Sequence, residues 1–317
     1  MPSYILKRLA LSLITLWLLV TIVFVMVTML PSDIARNILG NTAPEASVIA
    51  FRQEFGLTDP WLVRYGRLMR SLVTFDFGLS WSTKRPVGGM IWVPLYRSAK
   101  LAGLALLITT PISIGAGLLA AKYRDTKVDR GIVLLGLATA SIPEFVTGAL
   151  LAVVFGVKLK WFQSVATIPE GTSAFGQLDY LFLPALAMAI VYFGYIARMM
   201  RSGTIRSLES DYTRTATMRG LTGGQVLRRH ALRNSLAPTL TVISVQIGYL
   251  FGGIVGVELV YNYPGLSRVI LNAVQDLDIP VLQVAVTIIG SIYMLTTLLA
   301  DIVIAWLNPR ARLEIGQ

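Results

Sequence analysis

Six apolar runs dominate this chain, and each is long enough to cross a lipid bilayer, which takes roughly 20 helical residues. The first run, residues 9–30, contains 22 residues and no charged side chain. Because unpaired backbone groups are too costly in lipid, runs of this length predict helices. The six runs are 9–30, 101–121, 131–157, 181–200, 239–257 and 281–306. The sequence therefore predicts an all-α integral membrane protein with six transmembrane helices.

The composition supports this class and limits the chemistry available to the chain. Only 14% of its residues are charged, whereas soluble domains have about 25%. The sequence has no cysteine and one histidine, His230, which excludes cysteine-type zinc sites and thiol catalysis. It also lacks a G-x-x-x-x-G-K-S/T phosphate loop. We therefore expect no catalytic, metal or cofactor site in this chain.

The distribution of charge predicts the orientation. Lysine and arginine hold short loops on the cytoplasmic side, which accounts for the net charge of +11 without a nucleic-acid partner. Segment 122–130 is basic, and residues 198–238 contain eight arginines against Glu209 and Asp211. With these segments inside, both termini are cytoplasmic. A cleaved signal peptide is the alternative interpretation of the first run, but its apolar core would be shorter, about 7–15 residues.

The same pattern divides the chain into three parts. Residues 1–100 comprise the first transmembrane helix and an extracytoplasmic segment, 101–306 form a five-helix core with a cytoplasmic loop at 201–237, and 307–317 form a cytoplasmic tail. Segments 31–100, 158–180 and 258–280 are the ones expected outside.

The outer segment after the first run carries a helix signal of its own. Asp59-Pro60 indicates a helix start. An apolar face then follows at Leu62, Tyr65, Leu68, Met69 and Leu72. This spacing predicts an amphipathic helix that lies on the membrane or on the other helices.

The basic loop between the fourth and fifth runs consists largely of residues that favour helices. Residues 209–219 favour a helix, Gly220 permits a sharp turn, and Thr222 with Gln225 fits a capping box for a second helix. That helix is expected to end near Asn234, with Pro238 in the first turn of the fifth span. A loop that only holds the topology is one interpretation. The other is that Thr215 and Ala216, small residues before the glycine, give a shallow surface that seats in another protein's groove.

Several residues inside the runs are candidates for a path through the membrane. Glu144 follows Pro143 in the third run, where a carboxylate marks either a pathway or an interhelical hydrogen bond. Gln246 and Tyr249 of the fifth run are further path candidates. Glu258 is expected at the outer interface, and Asp301 is expected to pair with an arginine of the cytoplasmic loops.

Three glycines recur at every fourth position of the fifth run. They are Gly248, Gly252 and Gly256. Glycine at this spacing lets helices approach closely, so this face is predicted to be a packing surface, with the pore wall as the other option.

The stretch DYTRTATMRGLTGGQVLRRHALRNSLAP, residues 211–238, resembles the cytoplasmic signature loop of ABC-importer permeases. The similarity is specifically to the B-type permease subunit of dipeptide, oligopeptide and nickel importers. In the broad importer pattern an acidic residue and two alanines precede a glycine. Here Arg214-Thr215-Ala216 occupy those positions before Gly220, so the acidic residue is absent and one alanine remains. The closing Leu-Ala-Pro at 236–238 also comes later than in the broad pattern. Both departures resemble the peptide subfamily. The segments EFGLTDPWLVRYGRLMRSLVTFDFGLSW, SIPEF, VELVYNYPGLSRVILNAVQDLDIPVLQ and LNPRAR are similar to the same subfamily.

This resemblance implies a type I ABC-importer permease fold in a bacterial or archaeal cytoplasmic membrane. The implied partners are a C-type permease, two cytoplasmic ATPases that bind ATP and Mg²⁺, and an extracytoplasmic binding protein. That protein would largely select the solute, whether peptide, nickel complex, sugar or opine. The implied coupling residues, which would contact an ATPase, are Asp211, Tyr212, Thr215, Ala216, Arg219, Gly220 and Leu221.

Two other functions compete with this one. An ion-coupled secondary carrier would use Glu144, Glu258 and Asp301, but such carriers build their sites between repeats, and no repeat is evident here. A non-transporting assembly protein would have no use for an ordered coupling helix.

Overall fold

The computed structural model describes the backbone of residues 2–29 and 33–307, and their side chains except at 2–5, 230, 252, 253 and 305–307. Within these ranges the regular elements are helical, and the extended pairing is a single bridge between Leu79 and Pro86. The α-helices are α1 Pro2–Thr28, α2 Ile34–Leu39, α3 Glu45–Glu54, α4 Trp61–Thr74, α5 Val87–Lys122, α6 Lys127–Ala140, α7 Glu144–Leu151, α8 Leu178–Leu208, α9 Asp211–Met218, α10 Gly223–Val226, α11 Leu232–Val260, α12 Leu266–Gln275 and α13 Ile279–Leu307. Two π-helical turns, Ala152–Lys158 and Leu227–Ala231, extend α7 and α10. Most of the predicted tail, residues 308–317, lies outside the described residues.

The apolar runs predict six membrane spans, and the described residues contain four helices that could cross a bilayer, or six if two bent helix pairs each count as one span. Four helices, namely α1, α5, α8 and α13, are each long and apolar enough to cross a bilayer. The other two spans are bent pairs: α6 with the α7 segment, bent by 97°, and the two parts of α11, bent by 48°. The all-α membrane fold expected from the sequence is thus confirmed.

The third predicted span is broken at a proline. Helix α6 ends at Ala140 and α7 begins at Glu144, with Pro143 in the extended conformation before it. Proline lacks an N–H, and it disfavours helical geometry in the residue before it. The chain therefore turns at 141–143 instead of continuing as one straight helix.

Two helix boundaries differ from the expectations. Helix α5 begins at Val87, well before residue 101, because helix formation continues through Arg97 and Lys100 although the apolar run does not. The predicted interruption between Asn234 and Pro238 is also wrong, since Pro238 lies inside α11. The π-helical turn before α11 makes the helical backbone continuous from Gly223, so Pro238 removes one interior backbone hydrogen bond and the helix continues through it.

The chain divides into two compact units, and the first is built around α8. This unit consists of Ala99–Tyr263 with the described residues before Ala10 and after Ser291. Helix α8 packs against α6, α7 and α11. The backbones of α6 and α8 meet at Gly136 and Gly194, where a β-carbon on Gly194 would lie 2.0 Å from the Gly136 carbonyl oxygen. Glycine is required at this crossing because any side chain would separate the two helices.

A buried ion pair joins two helices of this unit at their basic end. Asp129 of α6 is 2% exposed and accepts two hydrogen bonds from Arg201 of α8, both at 2.5 Å. The same carboxylate also accepts the backbone N–H of Asp125 at 2.9 Å, which closes the turn between α5 and α6. Nearby, Arg124 pairs with Glu209 on the surface.

The second unit contains the predicted outer segment. It comprises Ala10–Ser98 and Pro264–Ser291, so residues after the fifth run join the segment after the first. Its larger apolar core includes Val87, Ile91 and Leu266. The turn at 80–82 is held by Asp278, which is 2% exposed and accepts hydrogen bonds from the Ser80 and Ser82 hydroxyls and the Trp81 N–H.

The amphipathic helix predicted after Pro60 is present as α4, with Pro60 at its N-cap. Tyr65 of its apolar face packs edge-on against Phe24 of α1, with ring centroids 5.2 Å apart, and its hydroxyl lies 2.7 Å from that of Thr21. Leu72 packs against the apolar core of the unit, whereas Leu62 is 61% exposed. The apolar face of α4 thus packs against other helices at Tyr65 and Leu72 and is exposed at Leu62.

Candidate functional site

The basic loop folds into a short helix fixed to the end of a long one. Helix α8 ends at Leu208, and α9 begins three residues later. The Ser207 carbonyl accepts hydrogen bonds from the hydroxyls of Ser210, at 2.6 Å, and Thr213, at 2.7 Å. These local bonds fix the start of α9 to the end of α8.

Tyr212 adds to this anchorage. Burial favours a higher pKa for its phenol, but side-chain hydrogen bonding with Ser207, Ser210 and Asn234 outweighs burial and lowers the pKa. The ring is still 41% exposed. Tyr212 therefore lies at the edge of the anchored face and not at the centre of the open one.

The open face of α9 differs in part from the expected one. Thr213 and Ala216 are 5% exposed and face the protein, whereas Asp211, Thr215 and Arg219 are exposed. The expectation that Ala216 seats in a partner's groove is therefore wrong for this conformation. Periodicity shows which residues share a face, but the hydroxyl bond from Thr213 to Ser207 decides which face turns inward.

Met218 is the residue of this surface that sequence reasoning missed. Its side chain is 86% exposed, at the end of α9 and on the same side as Asp211 and Thr215. A large apolar side chain left open beside Arg214 and Arg219 is the usual composition of a protein contact, which favours methionine and arginine. The signal was available as the 3.6-residue spacing of 211, 215 and 218.

Gly220 ends α9 in a Schellman motif. Its φ of +84° is in the left-handed region, which residues with a β-carbon rarely adopt. The Gly220 N–H bonds to the Thr217 carbonyl at 2.9 Å, and the Leu221 N–H bonds back to the Ala216 carbonyl at 3.3 Å. The space around Gly220 is open, so the constraint is the backbone conformation alone.

The predicted capping box begins the next helix directly. The Thr222 backbone N–H donates to the Gln225 side chain at 2.9 Å, and the Thr222 side chain accepts the Gln225 N–H in return. Gly220 and Leu221 are the residues left between the two caps. The corner between α9 and α10 is therefore fixed on both sides by local hydrogen bonds.

The candidate path residues do not form one cluster. Pro143 and Glu144 lie at the start of α7, where Glu144 is partly buried and makes no hydrogen bond or ion pair with another described residue. On α11, Gln246 is 5% exposed and Tyr249 is 63% exposed. Tyr249 is thus open on the surface of the unit, while Gln246 points into it.

The glycine face of α11 lies against two different helices. A β-carbon on Gly248 would lie 2.0 Å from the ring of Tyr293 in α13, and one on Gly256 would lie 2.8 Å from Phe145 in α7. These are close approaches of the kind that the glycine spacing predicts. The surroundings of Gly252 lie outside the described side chains.

Two acidic residues differ from the expectations. Glu258 is 1% exposed, so its predicted exposure at the interface is wrong; it belongs to the interior of its unit. Asp301 pairs with Arg8 of the N-terminal helix at 3.2 Å, and not with a loop arginine. The predicted partner was wrong because the two terminal helices bring Arg8 closer than any loop.

Comparison with known families gives matches along almost the whole chain. Residues 113–313 match the family described as binding-protein-dependent transport system inner membrane component. Residues 1–91 match the N-terminal family of the same transport system membrane components. The first match contains α6 to α11 and the corner at Gly220.

Individual relatives align over their full length. A peptide transport system permease protein of Brucella abortus (strain 2308) is 35% identical over 314 residues, covering 99% of this chain and 100% of the relative. A peptide ABC transporter permease protein of Sinorhizobium fredii is 31% identical, with 98% and 100% coverage. The glutathione transport system permease protein GsiC of Escherichia coli (strain K12) is 32% identical, with 98% and 99% coverage.

Proposed function

This chain belongs to the family of binding-protein-dependent transport system inner membrane components, and from that premise we propose that it forms one half of the membrane path of a peptide importer. Membership makes it a permease subunit of an ABC importer in the cytoplasmic membrane. Peptide is the proposed solute class because two relatives are named for peptide and a third for glutathione, itself a small peptide. The ion-coupled carrier has no support among these relatives.

The observation that carries the coupling proposal is the geometry of α9 and its corner. An exposed face of Asp211, Thr215 and Met218 stands on a helix that is hydrogen-bonded to the end of α8. We assign this face to contact with a cytoplasmic ATPase. Tyr212, Arg219 and Leu221 form its margin, and Ala216 supports it from within.

The remaining partners follow from the same proposal. A second permease supplies the other half of the path, and an extracytoplasmic binding protein delivers the solute. The two ATPases bind ATP and Mg²⁺, since this sequence contains no phosphate loop. The chain itself then acts by conformational change and not by catalysis.

Cysteine labelling tests the proposed orientation, with both termini cytoplasmic. Ser47 and Ser173 are exposed on segments assigned to the outside, and Lys127 is exposed at the start of α6, in the basic segment assigned to the inside. Because the chain has no cysteine of its own, each single-cysteine variant reports one position. In intact cells, a membrane-impermeant maleimide is expected to label Ser47→Cys and Ser173→Cys but not Lys127→Cys.

Permeabilised cells provide the control for this measurement. Lys127→Cys must react there, which shows that its thiol is accessible. Ser207 is a poor probe because it is 6% exposed and would stay silent on either side. Labelling of Lys127→Cys in intact cells would contradict the orientation.

Reconstitution in vesicles tests the division of labour among the subunits. The purified chain alone is expected neither to hydrolyse ATP nor to accumulate peptide, because it has no nucleotide site and offers one side of a two-sided path. The full importer is expected to do both when the binding protein carries a peptide. Uptake driven by an ion gradient with the lone chain would overturn the proposal.

A further inference from the structure

The second unit contains a cavity of about 660 Å³, within the size range of ligand pockets. Its wall includes three arginines of α4, spaced three residues apart: Arg64, Arg67 and Arg70. This spacing places the three side chains within one face of the helix. The opposite face carries the apolar residues that pack on α1 and on the core of the unit.

The wall also carries three carboxylates, Glu54, Asp59 and Asp76, but none of them forms an ion pair with Arg64 or Arg70 among the described residues. Arg67 pairs with Asp59 at 2.6 Å, and Glu54 pairs with Lys84 at 2.8 Å. Arg64 and Arg70 make no side-chain hydrogen bond or ion pair with another described residue. Asp59 acts on Arg64 through its charge without forming an ion pair, so the hydrogen-bond donors of both guanidinium groups stay available to an anion.

Arg64 is the less solvated of these two groups. Burial lowers the pKa of its guanidinium and the neighbouring charge of Arg67 lowers it further, while the charge of Asp59 offsets part of this. A guanidinium nevertheless stays charged in proteins. A partly buried guanidinium whose side chain makes no hydrogen bond is costly, and an anion with several acceptor oxygens relieves that cost through charge-assisted hydrogen bonds.

The position of the cavity identifies the source of the anion. Phe24, one turn before the end of α1, lines it together with Ile279 and Val284 from the first turns of α13. Both helices are membrane spans, so their ends lie at the level of the lipid headgroups. Beside the arginines, α4 and its C-cap expose Trp61 at 60%, Val73 at 79% and Phe75 at 72%.

This combination is typical of a helix at a membrane interface. Such helices place arginine on one face and tryptophan, phenylalanine or aliphatic residues at the acyl boundary. We propose that the cavity binds the phosphate of a phospholipid headgroup between Arg64 and Arg70, with the acyl chains against the exposed apolar residues of α4. The leaflet is the outer one if the orientation proposed above holds.

Lipid binding to the purified importer complex in detergent tests this proposal. The probes are phosphatidylglycerol, diacylglycerol with the same chains, and inorganic phosphate. Native mass spectrometry measures retained lipid, and the melting temperature of the complex measures stabilisation. Phosphatidylglycerol is expected to bind, and Arg64→Gln with Arg70→Gln is expected to weaken that binding about tenfold.

The matched control is Arg85→Gln, which removes the same charge from an exposed position of the same unit outside the cavity wall. It is expected to leave lipid binding unchanged. Arg64→Lys keeps the charge but not the forked donor geometry, and is expected to weaken binding less than the double variant. If the double variant does not assemble, this single variant and the parent still decide the result.

Each contrary outcome has a distinct meaning. Equal retention of diacylglycerol and phosphatidylglycerol would remove the role of the phosphate. Protection by inorganic phosphate that depends on Arg64, without lipid retention, would identify a free-anion site and overturn the lipid. Unchanged lipid binding in the double variant, with weaker docking of the binding protein, would assign the arginines to that partner instead. Equal weakening by Arg85→Gln would show non-specific attraction.

Discussion

Replacement of Gly220 by valine is expected to leave the chain inserted in the membrane but to uncouple peptide-loaded binding protein from ATP hydrolysis. Gly220 has a φ of +84°. A residue with a β-carbon in such a conformation costs about 1–3 kcal/mol, and valine is among the least tolerant. If the strain is relieved by turning α9, its exposed face no longer meets the ATPase. A coupling loss of that size corresponds to about 5- to 150-fold.

The measurement is ATP hydrolysis by the purified four-subunit importer, with and without loaded binding protein. The matched control is Gly224→Ala in the next helix, where the space is open and φ is not positive. Alanine there is expected to change little. A Gly220→Val complex that assembles, transports and responds to the binding protein as the parent does would reduce the corner to a topological loop.

The inward position of Ala216 changes how the neighbouring variant is understood. A bulky residue there would push against the protein's own interior, where overpacking costs about 1–3 kcal/mol. Its effect on coupling would therefore mix local unfolding with lost contact. Met218, exposed at the end of α9, is the cleaner position at which to alter the contact surface.

The spans and the corner were predictable because their causes are local. An apolar run of about 20 residues has few alternatives to a membrane helix. Gly220, Thr222 and Gln225 determine a turn and a cap through bonds that reach at most five residues along the chain. The same holds for the start of α4 after Pro60.

The errors concern interactions that are distant in sequence. The position of Glu258 near the end of an apolar run predicts exposure at the membrane interface, yet tertiary packing buries this side chain. The partner of Asp301 is Arg8, almost the whole chain away. Hydropathy also could not distinguish a straight third span from the pair bent by 97°, although Pro143 marks where the bend falls.

The ion pair between Asp129 and Arg201 belongs to the second group, and it bears on coupling. Arg201 lies on α8 two turns before its end at Leu208, so the pair fixes the part of α8 that leads into α9 to α6. A buried bidentate pair of this kind has a defined geometry as well as a favourable energy. If the coupling proposal holds, α9 is expected to move with α6 and α8 together while this pair stays intact.

Substitution of Asp129 by alanine is expected to destabilise the protein more than any other single change at this end of the molecule. The substitution leaves Arg201, whose side chain is 25% exposed, without its partner, and the Asp125 N–H without its acceptor. Breaking a buried pair lowers the free energy of unfolding by about 3–5 kcal/mol. Because Arg201 is partly exposed, we expect a loss at the lower end of that range, about 3 kcal/mol. The melting temperature of the purified complex and its stimulated ATP hydrolysis should both fall.

A graded set of variants separates the charge from the hydrogen bonds. Asp129→Asn keeps an acceptor for the Asp125 N–H but removes the charge, so it should lower the stability less than Asp129→Ala does. The double variant Asp129→Ala with Arg201→Met should lose less stability than the sum of the two single variants, because neither charge is then left buried without its partner. Glu209→Ala breaks the exposed pair with Arg124 and should change little, since such pairs are solvated. Equal losses from Glu209→Ala and Asp129→Ala would show that burial of the Asp129 pair is not what holds α6 to α8.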